Sequence, residues 1–99
     1  MITSKIILSS GRTTTIIFCK VIIVSYINFI KIVILGTDNK VYVSSDTRIF
    51  KRFTNRSLLK SLTLKHITFS YINERYTLEG LKNKAKVDGV SIISVLNYD

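Results

Sequence analysis

Runs of β-branched residues, rather than a helical periodicity, dominate the hydrophobic pattern in the first half of the chain. Isoleucine and valine fill most of residues 21–26 and 29–35, and a third short run occupies 41–44. Such side chains are stiff at χ1 and pack better on a pleated sheet than on a helix. The segment GTDN at 36–39 is rich in residues that favour turns. The pattern therefore predicts successive strands, the last two of which form a hairpin.

A weaker pattern of the same kind precedes these strands. Residues 6–8 and 13–18 are rich in isoleucine, leucine and threonine, and the segment SSGR lies between them at 9–12. Small residues and a glycine permit a tight turn. We therefore expect residues 1–20 to form an N-terminal extension or an extra hairpin.

The second half of the chain alternates between helical and strand patterns. Leucines separated by lysines over 57–65 predict a short amphipathic helix, and 67–71 alternates as a strand. Residues 77–86 predict a second helix, because the leucine spacing is helical and lysines crowd its C-terminal end, where cations suit the helix dipole. A last strand follows over 90–96. This order predicts an α/β fold, in which residues 21–99 form a single small domain with a mixed β-sheet and two helices packed on it.

The chain has a net charge of +9 on 99 residues, which favours an anionic partner. In a basic segment with aromatic residues, lysine and arginine neutralise phosphates while rings and guanidinium planes stack on bases. The densest such segment follows the predicted hairpin and contains Arg48, Phe50, Lys51, Arg52, Phe53 and Arg56. Since an exposed phenylalanine favours a partner that covers it, we interpret this segment as an RNA contact rather than a solvated surface. Lys82, Lys84 and Lys86 suit RNA contact and the helix dipole equally well.

The composition is typical of a strongly A/T-biased genome. Isoleucine, lysine, serine, asparagine and tyrosine are abundant, whereas alanine occurs once and proline and tryptophan are absent. An organelle, a parasite or a virus has such a bias, which also raises the lysine count and weakens net charge as a sign of function. The single cysteine, Cys19, excludes an intramolecular disulfide and suits a reducing compartment.

An apolar stretch at 16–35 raises the alternative of a membrane span. Lys20 and Lys31 interrupt it, and its longest uncharged part, 21–30, is much shorter than the roughly 20 residues of a spanning helix. Residues 1–10 contain one lysine and several isoleucines, which is not the composition of a transit peptide. We therefore do not expect a membrane span, and an organellar chain of this kind would be made inside the organelle.

Few side chains in the sequence are suited to catalysis. His66 and Cys19 are the only histidine and the only cysteine, so a zinc site cannot be assembled, and the isolated glycines form no phosphate-binding loop. A magnesium-dependent ribonuclease that uses Asp38, Asp46 and Glu79 is an alternative that we consider weaker, because the acidic residues fall in turns and on helix surfaces. We expect no enzyme, no cofactor and no small-molecule substrate.

A series of short motifs follows the strand pattern from residue 21 onward. An opening strand with an asparagine, an Asp-Asn turn, a Ser-Ser step and a Phe-Lys pair are formed by Val21, Ile23, Asn28, Asp38, Asn39, Ser44, Ser45, Phe50 and Lys51. A strand, an arginine, a helix, a glycine and a last strand follow at 67–69, Arg75, 77–86, Gly89 and 90–95. This order resembles the bacterial-type small-subunit ribosomal protein eleven family. The family's loop glycines are replaced here by Ile49 and Arg52, and the chain ends at Asp99 before the family's basic tail.

The resemblance implies a ribonuclease H-like topology and a structural role in the small ribosomal subunit. The chain would be a divergent, truncated, mitochondrial form that binds ribosomal RNA on the platform beside neighbouring ribosomal proteins, in the mitochondrial matrix. Together with the basic segments, the resemblance predicts these RNA-binding residues: Asn28, Ser44, Ser45, Arg48, Phe50, Lys51, Arg52, Arg56, Arg75, Lys82 and Lys84.

Two other functions remain open on the sequence. A small accessory subunit of an organellar membrane complex would use the apolar segment near 16–35 as its anchor. A viral nucleic-acid-binding protein would share the basic charge and the A/T-rich codon bias.

Overall fold

A computed structural model describes residues 1–37, 40–48, 67–72 and 91–97, together with Lys60, Gly80, Asn83 and Lys86. Within these ranges six strands form one sheet. The strands are β1 (Ile2–Ile7), β2 (Thr13–Ser25), β3 (Ile30–Gly36), β4 (Val41–Ser44), β5 (Phe69–Ile72) and β6 (Ser91–Asn97). Strands β1 to β5 are hydrogen-bonded in chain order, and β6 pairs with β2. Each pairing between these six strands is antiparallel.

The predicted α/β fold, with a mixed sheet and two helices, is wrong. The described residues form a curled antiparallel sheet in which no helix is delineated. Five residues lie between β1 and β2, four between β2 and β3, and four between β3 and β4. A short turn can only connect antiparallel neighbours, because a parallel pair requires a long crossover. The predicted helices at 57–65 and 77–86 lie almost wholly outside the described residues.

Most of the individual strand predictions are confirmed. Strands β3, β4 and β6 lie where the β-branched runs predicted them within a residue or two, and β5 occupies 69–72 rather than 67–71. The hairpin predicted around 9–12 also forms, as β1 and β2. The two runs at 13–18 and 21–26, which we treated as separate strands, form one strand, β2, so the boundary suggested at residue 20 falls inside a strand.

A glycine in the left-handed region closes the β1–β2 turn. Gly11 has a φ of 88°, which residues with a Cβ adopt only at a cost. The Gly11 N–H donates to the Leu8 carbonyl at 2.8 Å, and the Leu8 N–H donates to the Arg12 carbonyl at 2.7 Å. The small residues at 9–12 therefore act as the turn that the sequence predicted.

A β-bulge at Cys19 divides β2 into two halves. Phe18 is paired with Gly36 and Lys20 with Leu35, so Cys19 is an extra residue with no partner position on β3. Strict alternation would keep even-numbered residues on one face along the whole strand. A bulge adds one residue and so reverses that parity.

The reversal of parity is visible in the core. Ile16 and Phe18, before the bulge, belong to the same buried cluster as Val21, after it. The second half of β2 lies between β3 and β6, which pair with its two edges. Its two faces are covered as well, because Val21 packs in one hydrophobic cluster and Ile22 and Val24 in another, so residues 21–24 are all buried. This explains why the sequence shows an unbroken apolar run there rather than an alternation.

Two hydrophobic clusters occupy opposite faces of the sheet. The inner cluster consists of Ile6, Ile16, Phe18, Val21, Ile32, Ile34, Tyr42, Ile67 and Phe69. The outer cluster consists of Ile22, Val24, Val33 and Val41, with Tyr26, Leu35, Val43 and Val95 packed against it. Strand β3 contributes residues to both clusters, because successive side chains of a strand point to opposite faces.

The sheet curls until β1 approaches β5. Leu8, which follows β1, forms a parallel bridge with Phe69 at the start of β5, and the Ser9 N–H donates to the Phe69 carbonyl at 2.9 Å. The Phe69 side chain is fully buried in the inner cluster beside Ile6 and Ile67. The contact brings together the two ends of the strand order β1 to β5 around the inner cluster.

The apolar stretch at 16–35 forms strand structure in this fold. Its first part lies in β2, its last part in β3, and a tight turn joins them. Among the described residues, no helix is long and apolar enough to cross a membrane.

Deletion of Cys19 tests the role of the bulge. Without Cys19, one residue lies between Phe18 and Val21, so regular alternation alone keeps both side chains on the inner face. Buried side chains of this kind, each of which contributes about 1.5–3 kcal/mol, therefore stay buried. We expect the deletion variant to keep a cooperative unfolding transition in urea, followed by circular dichroism.

The matched control for the deletion is Cys19→Ser. This substitution keeps the chain length and alters only an exposed side chain, so its free energy of unfolding should stay within about 0.5 kcal/mol of the original. A deletion variant without a cooperative transition would show that the sheet requires the bulge itself, through the local twist that it adds, and not only its effect on parity.

Candidate nucleic-acid interface

The β2–β3 hairpin ends in a short loop flanked by two stacked aromatic rings. The Tyr26 N–H donates to the Phe29 carbonyl at 2.8 Å across the two intervening residues. The ring centroids of Tyr26 and Phe29 lie 4.7 Å apart, with an angle of 13° between the ring planes. A tight loop sets its flanking residues opposite each other, where their side chains meet. We call residues 26–29 the aromatic tip.

The middle of the aromatic tip is open to solvent. The Ile27 side chain is 100% exposed, and Asn28 is exposed beside it. A fully exposed isoleucine contributes nothing to the hydrophobic core. These two side chains are therefore available to a partner at no cost to the fold.

A backbone bridge places Arg48 next to the aromatic tip. The Ile30 N–H donates to the Thr47 carbonyl at 2.8 Å, and the Thr47 N–H donates to the Ile30 carbonyl at 3.0 Å. Thr47 is buried, and its hydroxyl donates to the Ser45 carbonyl at 3.0 Å. In an antiparallel bridge the residue after one partner lies opposite the residue before the other. Arg48 is thereby held opposite Phe29.

Residues 25–30 and Arg48 line one depression with a volume of about 430 Å³. Asn28 and Arg48, two of the residues that the sequence predicted to bind RNA, thus lie on a single concave surface. Both side chains are exposed. Within the described part of the chain, neither side chain has a hydrogen-bond or ion-pair partner. The depression therefore presents an amide and a guanidinium whose polar groups are free to bind a ligand.

Of the two cationic side chains beside the aromatic tip, Lys31 has an ion-pair partner among the described residues and Arg48 has none. Asp46, the one carboxylate among the described residues, has its Oδ1 atom 3.7 Å from the Lys31 Nζ atom. The same Nζ atom lies 5.9 Å from the centroid of the Tyr26 ring. Since Lys31 is paired with Asp46, the positive charge at the depression comes from Arg48. An anionic group is the ligand that this charge favours.

Ser44 and Ser45 take part in the hydrogen bonding of the fold. The Ser44 side chain is buried, and its hydroxyl accepts a hydrogen bond from the Ile32 N–H at 2.7 Å and donates to the Ser45 carbonyl at 3.0 Å. The Ser45 hydroxyl accepts a hydrogen bond from the Thr68 N–H at 3.3 Å, and the Ser45 N–H donates to the Thr68 carbonyl at 2.7 Å. We therefore leave both serines out of the interface.

The remaining predicted RNA-binding residues lie outside the described residues. They are Phe50, Lys51, Arg52, Arg56, Arg75, Lys82 and Lys84. The candidate interface is accordingly defined by Asn28 and Arg48 with the aromatic tip.

Our sequence analysis missed the two aromatic residues of this interface. Tyr26 and Phe29 were assigned to strand ends, whereas they flank a loop and stack on each other. The signal that was available is the pattern Tyr-x-x-Phe between two β-branched runs, since a two-residue loop brings its flanking residues into contact.

Comparisons with protein-family models, with curated proteins and with solved structures find no match to this chain. What the interface does must therefore be argued from its own geometry.

A Ser44→Ala variant tests the structural role of that serine. The change leaves the buried Ile32 N–H without its acceptor, which should lower the free energy of unfolding by about 1–3 kcal/mol in urea denaturation. Ser70→Ala, an exposed serine on β5, is the matched control and should change stability by less than about 0.5 kcal/mol. Equal stability of the two variants would argue against a structural role for the Ser44 hydroxyl.

Proposed function

We propose that this chain is a structural RNA-binding protein of a ribonucleoprotein particle and that the aromatic tip with Arg48 is one of its RNA contacts. The observation that carries the proposal is the depression that joins Asn28, Arg48 and the stacked Tyr26–Phe29 pair. Flat rings, an amide and an exposed guanidinium are the groups that proteins use for bases and phosphates.

The overall charge supports an anionic partner. The chain carries a formal charge of +9, and the one carboxylate of the described residues, Asp46, is paired with Lys31. A fold with this excess of cations attracts polyanions at long range, which raises the rate of association. Binding of this kind is electrostatic and requires no catalytic group.

The finer proposal concerns the identity of the particle. From the sequence resemblance, the particle would be the small subunit of a mitochondrial ribosome, where the chain would bind ribosomal RNA beside other ribosomal proteins. The topology that the resemblance implied is not the one found, so this finer assignment depends on the order of short motifs and on the basic, A/T-rich composition alone. Nucleic-acid binding has the broader support, because it also rests on the geometry of the aromatic tip.

Salt dependence tests the RNA contact. If the whole chain neutralises about four phosphates, the logarithm of affinity for a single-stranded RNA oligonucleotide should fall with the logarithm of salt concentration at a slope of roughly −3. Removal of one phosphate contact in Arg48→Ala should make the slope shallower by about 0.7. Fluorescence anisotropy at four or more salt concentrations measures both slopes.

The matched control is Arg12→Ala, which removes the same charge from the turn at the opposite end of β2. It should leave the slope closer to the original than Arg48→Ala does. Equal changes in the two variants would show that the basic surface binds diffusely and that Arg48 makes no specific contact. An absence of RNA binding would refute the proposed function.

Extraction of the native particle tests the cellular setting. A ribosomal protein should sediment with small-subunit RNA and be released only by high salt. A subunit of a membrane complex would resist salt and require detergent, which would contradict the ribosomal assignment.

A further inference from the structure

The size of the depression at the aromatic tip suits one nucleotide. Its volume of about 430 Å³ lies near the lower end of the range of roughly 300–1,000 Å³ that is typical of small-ligand sites. Its lining among the described residues is one loop and one arginine, which is too small a surface to follow the backbone of a double helix. Recognition of double-stranded RNA uses contacts spread over more than one groove.

The aromatic pair gives the depression a preformed stacking surface. Tyr26 and Phe29 are nearly parallel, at 13°, and their centroid distance of 4.7 Å is that of an offset stack. The Tyr26 N–H···O=C Phe29 hydrogen bond fixes the loop between them, and Tyr26 also packs against the outer cluster. A planar base that joins this stack finds rings already held in place, so little conformational entropy is lost on binding.

Asn28 and Arg48 supply the polar contacts that a nucleotide needs beside the stack. The Asn28 amide both donates and accepts hydrogen bonds, as does the edge of a base. The Arg48 guanidinium binds a phosphate with two parallel hydrogen bonds. Both side chains are exposed and lie on the depression with the rings. One nucleotide therefore offers the face of its base to the stacked rings, the edge of its base to the Asn28 amide and its phosphate to the Arg48 guanidinium.

We infer that the depression binds a single unpaired nucleotide, with the base against the aromatic tip and the phosphate at Arg48, and that the chain consequently prefers single-stranded RNA to duplex RNA. A base within a duplex is covered on both faces and must be unstacked before it can enter such a site, which costs free energy. This inference rests on the proposed function and adds the form of RNA that is selected.

A lipid surface is the competing partner for the same residues. An exposed isoleucine with a tyrosine and cations nearby also suits a membrane interface. The depression favours the nucleotide, because insertion into lipid uses a protruding apolar side chain and makes no use of an amide and a guanidinium on one concave surface. Vesicle binding is therefore an outcome of the experiment.

The experiment compares a fluorescently labelled, unstructured 12-nucleotide RNA with the same strand annealed to its complement, both at one salt concentration. The single strand should bind at least about fivefold more tightly, since stacking of one base on an aromatic ring has an effect of that order or larger. Phe29→Leu, which keeps the apolar bulk and removes the ring, should reduce or remove the preference and leave the salt slope unchanged. Tyr71→Leu, which removes a half-exposed ring from β5, is the matched control and should keep the preference.

A second measurement on the unaltered chain does not depend on the folding of a variant. In nuclear magnetic resonance titrations, adenosine 5′-monophosphate should shift the resonances of the Phe29 ring and the Asn28 side-chain amide. Ribose 5-phosphate, which has the phosphate without the base, should shift resonances near Arg48 only. Identical shifts with the two ligands would overturn the stacking of a base at the tip.

The remaining outcomes separate the two proposals. Equal affinity for single strand and duplex would overturn the inference and leave RNA binding intact, whereas no affinity for either RNA would overturn both. Binding to vesicles of phosphatidylcholine and phosphatidylglycerol that Ile27→Ala abolishes, without a preference for single-stranded RNA, would overturn the inference in favour of a membrane contact.

Discussion

The extra residue at Cys19 is the constraint on which the arrangement of the core depends. Fixed alternation along β2 would place Phe18 and Val21 on opposite faces, because only every second side chain of a strand points to the same face. The bulge reverses the parity between Phe18 and Val21, so both side chains enter the inner cluster although two residues lie between them. It also increases the local twist, which suits a sheet that curls until β1 meets β5. The second half of β2 can then be a central strand between β3 and β6, with both of its faces buried.

Contacts with this core hold the aromatic tip in place. Tyr26 continues directly from the buried end of β2 and packs against the outer cluster. On the other side of the depression, the paired hydrogen bonds between Ile30 and Thr47 fix the chain just before Arg48. The exposed groups of the candidate interface are thus mounted on buried residues. A site held in this way loses less conformational entropy on binding than one on a long free loop.

The sequence was sufficient to predict the strands and insufficient to predict how they combine. β-branched runs identified β3 and β4, because their side chains suit a pleated sheet wherever it lies. The bulge was hidden, since residues 16–18 and 21–24 are both continuous apolar runs and show no alternation from which a change of parity could be read. The choice of a mixed sheet followed the order of strand and helix patterns in the second half of the chain, although the short connections between β1, β2, β3 and β4 already favoured antiparallel pairing. Asn28 and Arg48 were both named in advance, the first through the resemblance and the second through charge. Asn28 and Arg48 lie close together because of the Ile30–Thr47 bridge. This pairing is non-local, so no local sequence pattern predicts it.

Net charge is a poor guide to a binding site in a chain of this composition, because it does not say where the fold places each charged side chain. Lysine residues occur throughout the sequence, and a carboxylate can offset the charge of one of them locally, as Asp46 does for Lys31. What distinguishes Arg48 is its position, uncompensated among the described residues and set beside two stacked rings. Ser44 illustrates the converse, because the resemblance named it while the fold uses its hydroxyl to satisfy the Ile32 N–H. The case for RNA binding therefore depends on which side chains the fold places together at a free surface, and counts of basic residues add to it only at long range.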